Sequence, residues 1–150
     1  LLGVISLNHD HIFQVASKKV YSGVNLGFNF KSNHFKFVNT DCPLLIHLHG
    51  AFNFRKDKPI KVLRLTSKTK YHQNMLWIPP TILKESKDYP FNKMMGLSYE
   101  LISKCDVLRI IGCSLSQNDW NLISLIFSAQ NNQYFFKSDC FKIELIMTTS

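Results

Sequence analysis

Val107-Leu108-Arg109-Ile110-Ile111-Gly112-Cys113-Ser114-Leu115, then a helical run over Ser116–Gln130, then Phe141-Lys142-Ile143-Glu144-Leu145-Ile146-Met147, is the stretch that decides the fold. The two flanking runs have the length and branched apolar composition of buried strands. Between them Asp119 or Asn118 can cap a helix in which Trp120, Ile123, Ile126 and Phe127 recur at helical spacing. The segment therefore reads as strand, helix, strand.

The pattern continues upstream. Phe91, Met94, Met95, Leu101 and Ile102 fit one face of a helix from Pro90 to about Lys104, which leads directly into Val107. Leu2–Leu7 and Pro43–Leu48 are further apolar runs of strand length, and a short helix follows Asp10 with Ile12, Phe13, Val15 and Ala16 as its apolar residues. Such runs suit a parallel sheet covered on both faces. Their alternation with helices predicts a doubly wound α/β sheet with ligands beyond the carboxyl ends of its strands. Tyr21–Asp41 and Ala51–Gln73 break the alternation and read as insertions, the second with a strand at Ile60–Leu65. No internal repeat or low-complexity tract is present.

Composition sets the outer limits. A chain of 150 residues, 45% of them hydrophobic, can build a single core without staples. Cys42, Cys105, Cys113 and Cys140 form no Cys-x-x-Cys pair and have no nearby His at ligand spacing, so a structural zinc site is not expected and reduced, mostly buried thiols are. No run reaches the length of a membrane span, and Leu1–Leu7 lacks the basic flank of a signal peptide, which points to a cytoplasmic protein. The chain opens on Leu1 rather than Met and reads as a fragment. Net charge is +8, and seven of the 18 Lys and Arg lie between Arg55 and Lys70. With Tyr71 and Trp77 nearby, that stretch has the groups of a nucleic-acid surface, but a solvated insertion accounts for them more simply.

Three polar clusters follow directly after strands. Ser6-Leu7-Asn8-His9-Asp10 leaves the first, with Asp10 placed to cap the next helix and Asn8 able both to donate and to accept. His47-Leu48-His49-Gly50 ends the second. There His47 has the position of a core histidine, and His49, before a glycine that leaves backbone room for a ligand, has that of a general base. Ile111-Gly112-Cys113-Ser114-Leu115 ends the third, where Gly112 permits close approach and a helix start offers N–H groups to phosphate. No neighbouring base activates Cys113.

The order of these clusters resembles the Sir2-like (sirtuin-type) family, whose pattern is Thr-x-Asn-x-Asp, then a strand ending in His-Gly, then one ending in Gly-x-Ser-Leu. Ser114 to Asp119 and Trp77-Ile78-Pro79-Pro80 look more like the family's defence-associated branch than its deacylases. The resemblance implies a three-layer Rossmann-like (DHS-like) sheet, incomplete at the amino terminus, and NAD as substrate. It implies that Asn8 and His49 are catalytic, and that Ser6, Asn8, Asp10, Gly112, Ser114 and Leu115 line the dinucleotide. Leu7 stands where deacylases carry Gln, and the basic segment 51–73 stands where they carry a four-cysteine zinc module, so the resemblance favours an NAD glycohydrolase without zinc over a protein deacylase. The family's glycine-rich first unit would lie before Leu1, and no Asn follows Met147, which leaves a non-catalytic module that binds NAD, ADP-ribose or another protein as the alternative. A homo-oligomer or an effector-sensing partner fits either form.

Overall fold

The computed structural model describes residues 1–21, 23, 25–29, 34–35, 41–56, 61–62, 74–78, 89–113, 115, 119–137 and 140–146. They form a mixed α/β fold with two parallel strand pairs and three helices. In the first pair β1 (Gly3–Ser6) runs parallel to β4 (Leu44–His47), from Gly3 opposite Leu44 to Ser6 opposite His47. The connection holds helix α1 (Ile12–Val20) and a short antiparallel pair, β2 (Phe28–Asn29) with β3 (His34–Phe35). On its other edge β4 meets Asn25, whose carbonyl accepts the Leu45 N–H at 2.7 Å.

After β4 the chain turns at Leu48 and His49 and reverses into β5 (Gly50–Arg55), the centre of a three-stranded antiparallel sheet with β6 (Lys61–Val62) and β7 (Met75–Trp77). The stretch from Ala51, which reads from sequence as the start of an insertion, therefore opens as a core strand in which Ala51 and Phe54 are buried. Lys61–Val62 falls inside the expected strand at Ile60–Leu65, and the rest of that run lies outside the described residues.

Helix α2 (Phe91–Lys104) leads into β8 (Val107–Ile111), which pairs parallel with β9 (Lys142–Ile146) across helix α3 (Trp120–Lys137). The strand–helix–strand reading of this stretch holds. Pro90 suits the start of α2, because a residue there needs no amide hydrogen, and its carbonyl accepts the N–H groups of Lys93 and Met94. At the other end Gln133 of α3 donates its side-chain amide to the carbonyls of Ser103 and Cys105, at 2.8 and 2.9 Å. Carbonyls at the end of a helix have no intrahelical partner, and this buried glutamine supplies one from a neighbouring helix.

Two apolar clusters fill the interior, and α2 serves both. Leu44, Ile46, Ala51, Phe54 and Leu76 meet Phe91, Met94, Leu97 and Leu101 of α2 in one. Leu48, Ile102 and Phe141 meet Leu122, Leu125, Ile126 and Ala129 of α3 in the other, and Ile5 packs against both.

Several expectations about burial are corrected. The residue that α1 buries is Gln14, while Ile12, Val15 and Ala16 are exposed and Phe13 is partly exposed beside β1, because this helix buries a polar group and not an apolar stripe. On α3 the core face is set by Leu122, Leu125, Ile126 and Ala129, so Trp120 and Phe127 lie on the opposite side and are exposed. The strand β8 is half-covered at best, since only Leu108 and Ile110 pack into the cluster of α3, and β9 is largely exposed, with none of its residues in that cluster. The cysteines are thiols outside any disulfide, but three are half-buried and Cys140 is exposed, against the expectation of buried thiols. No helix among the described residues is long and apolar enough to cross a membrane.

Candidate functional site

The carboxyl ends of β1 and β8 point the same way into one cavity of about 350 Å³. Val4 to Asn8 form one wall and Leu108 to Cys113 the other, with Ile102 of α2 and Asp119, Leu122 and Ile126 at the start of α3 behind them. A second cavity of about 420 Å³ continues between the same strands toward Leu1 and Val107, so the space runs along the length of both. Its walls are mainly apolar side chains with a few polar groups at the mouth, which is the usual composition of a small-molecule site, and its size is within the ~300–1,000 Å³ typical of one.

Of the residues singled out in the sequence, Ser6, Asn8 and Gly112 line this cavity together. Gly112 has φ of 62°, which a side chain would strain, and nothing lies within 4 Å of where its Cβ would be. The space beside it is therefore open to an incoming group, while its N–H donates to the Ile146 carbonyl at 3.2 Å. Leu115, also at positive φ (49°), packs against the second apolar cluster and is absent from the lining. Asp10 is absent too: its carboxylate accepts the Ile12 N–H at 2.9 Å and fixes the entry to α1, as its place before that helix predicts. Ser114 lies outside the described residues.

His49 is buried and sits in a different setting. Its ring lies 6.2 Å from that of His9, which packs edge-on against Trp77 at 5.1 Å and against Phe52 at 5.6 Å. The glycine after it serves the sheet: Gly50 has φ of 78°, and a Cβ there would overlap the Leu76 carbonyl oxygen. The backbone room at Gly50, expected to admit a ligand, is thus filled by β7, and the N–H of Ile78 just after that strand donates to the His49 carbonyl at 2.8 Å. The three clusters are drawn to one end of the strands, but only the first and third share the cavity.

His47 is a satisfied core histidine, as its inward position on the pleat predicts. It is 1% exposed, and its Nδ1–H faces the Asn8 carbonyl at 3.3 Å while Nε2 receives the Gln14 amide at 3.1 Å. That pattern is the neutral imidazole with the proton on Nδ1, and burial pushes its pKa below the ordinary value of 6.5. Gln14 in turn accepts from the Asn53 side chain at 2.9 Å. Asn8 is therefore held through its backbone by a buried Asn53–Gln14–His47 chain drawn from β5, α1 and β4. Gln14 and Asn53 escape a reading of sequence because each is a lone polar residue among apolar neighbours.

Among the described residues no three His, Cys, Asp or Glu side chains stand close enough to hold a metal ion. No protein-family model, curated protein or solved structure matches the chain.

Proposed function

We propose that the chain belongs to a Sir2-like, NAD-consuming domain of the cytoplasm, a glycohydrolase that breaks the nicotinamide–ribose bond, with its strand pairs forming parts of one three-layer Rossmann-like sheet. The observation that carries this reading is the meeting of Ser6, Asn8 and Gly112 in one cavity at the carboxyl ends of β1 and β8, each a member of a parallel pair. Open α/β sheets bind nucleotides at that place. The residues present suit the substrate: Gly112 leaves open space near the start of α3 for phosphate, its own N–H being bound to the Ile146 carbonyl, and Asn8 offers an amide for a ribose hydroxyl and a water.

In this reading the bound dinucleotide brings the scissile bond, and the chain positions it. Asn8 holds the ribose and one water, and the apolar walls exclude the rest. As water oxygen bonds to the ribose carbon, nicotinamide leaves with the bonding electrons and the water gives up a proton. The resemblance assigns that proton to His49, which lies outside the cavity, so this role rests on the resemblance and not on the cavity's geometry. ADP-ribose and nicotinamide are the products.

The test is NAD turnover, with both products quantified, by the chain extended to its natural start and by its Asn8→Ala and His49→Ala variants. Loss of about 100-fold or more in each folded variant is expected, the range for a positioned acid–base group. Near-normal turnover in either would remove that residue's role, and no turnover by the parent would remove the enzyme reading.

A further inference from the structure

Helix α3 has two unlike sides. Leu122, Leu125, Ile126, Ala129 and Gln133 are buried against the rest of the fold, while Trp120, Phe127 and Tyr134 on the opposite side are 66%, 62% and 62% exposed. These three aromatics are seven residues apart, two helical turns within about 20°, so they lie on one line along the helix. Phe135, 80% exposed, flanks the line, and Ser124, Ser128 and Asn131 fill the gaps with small or neutral groups.

From Trp120 to Phe136 no residue carries a charge, although the whole chain carries +8. The solvated side of a helix ordinarily bears charged residues, and an uncharged aromatic line is the composition of a face that is covered.

We propose that a second copy of this chain covers it, with two α3 helices packed antiparallel about a two-fold axis through Phe127. Three observations select this occupant. Trp120 and Tyr134 stand at equal distances on either side of Phe127, so an antiparallel copy sets Trp120 on the partner's Tyr134 and Phe127 on the partner's Phe127, the self-complementary pairing a two-fold axis requires. Two molecules of net charge +8 repel, and this helix is the long element where they meet without opposing cations. The area suffices: aromatics of ~150–250 Å² each, four per copy and about two-thirds exposed, bring on the order of 1,000 Å² to the pair, the lower bound of a specific interface. The dimer is accordingly weak and reversible, and it stands whether or not the chain consumes NAD.

Sedimentation velocity of the chain between about 1 and 100 µM tests it, the span in which a micromolar dimer forms. The mass should rise from monomer to dimer, and Phe127→Glu should weaken association by at least about tenfold while leaving the thermal melt of the dilute monomer unchanged, because that side chain is solvated in the monomer. Trp120→Arg serves as a second disruption if Phe127→Glu folds poorly. The axis is tested with Cys140→Ser as background and diamide as oxidant. Phe127→Cys should cross-link to itself, and Trp120→Cys should cross-link to Tyr134→Cys but not to itself. Monomer at every concentration, a dimer indifferent to both charged variants, or self-linking of Trp120→Cys would each overturn the proposal.

Discussion

Leu45 in β4 is 3% exposed and Leu145 in β9 is 63% exposed, though both lie in apolar strands of a parallel pair. The difference lies in what covers the strands. On β4, Leu44 and Ile46 pack into the cluster of α2, while His47 meets Gln14 of α1 and Phe54 of β5, so the strand is enclosed on both faces. On the β8–β9 pair Leu108 and Ile110 of β8 pack into the cluster of α3, but that cluster holds no residue of β9, so Leu145 stays exposed although the register sets it on the same face as Ile110. The other face presents Arg109, Glu144 and Lys142 to solvent, with ion pairs of 2.7 and 2.9 Å to Glu144. An apolar run thus announces a strand, but its coverage depends on elements elsewhere in the chain.

The sharpest way to break this contrast is at the turn that encloses β4. Gly50→Ala forces a side chain into the left-handed region and against the backbone of β7, and should cost about 4 kcal/mol or more, read from the denaturant midpoint. Ile46→Ala comes next at about 2–5 kcal/mol from lost burial and the cavity left behind, whereas Leu145→Ala should cost below about 1 kcal/mol in the same titration. Equal costs for the two would erase the distinction between the strand pairs.

Gln14→Ala should cost about 1–3 kcal/mol by stranding His47 Nε2 and the Asn53 amide in the interior. The same network gives a pH signature. Because the folded pKa of His47 is depressed, the unfolded chain binds a proton first as pH falls below 6.5, so stability is full above that value and declines beneath it until the folded pKa is reached. The slope of this one group is at most about 1.4 kcal/mol per pH unit and should vanish in His47→Gln. Smallest of all is Glu144→Gln. Lys142 and Arg109 hold that carboxyl below its usual range, yet solvent screens the group, and no change in midpoint is expected at moderate salt.

The seven main strands and helices from β1 to β9 that carry the alternation were legible because their apolar runs are bounded by polar turns. The span of α2 was legible almost to the residue, since Pro90 marks its start. Less legible was orientation. On α1 and α3 apolar residues occur all round, so spacing alone could not choose between Phe127 and Ala129 as a core residue, and packing chose the small one. Ser6, Asn8 and Gly112 could be grouped because each ends or follows a strand, where an α/β sheet gathers its polar groups. His49 could not be placed, because the reversal into β5 depends on pairing with β7, more than twenty residues further on.

Gln133 bears on how the molecule opens. By holding the carbonyls of Ser103 and Cys105, it makes the last turn of α2 depend on the docking of α3. In hydrogen–deuterium exchange, amides at the end of α2 and around Gln133 should take up label together, as one cooperative unit, while β4 remains protected.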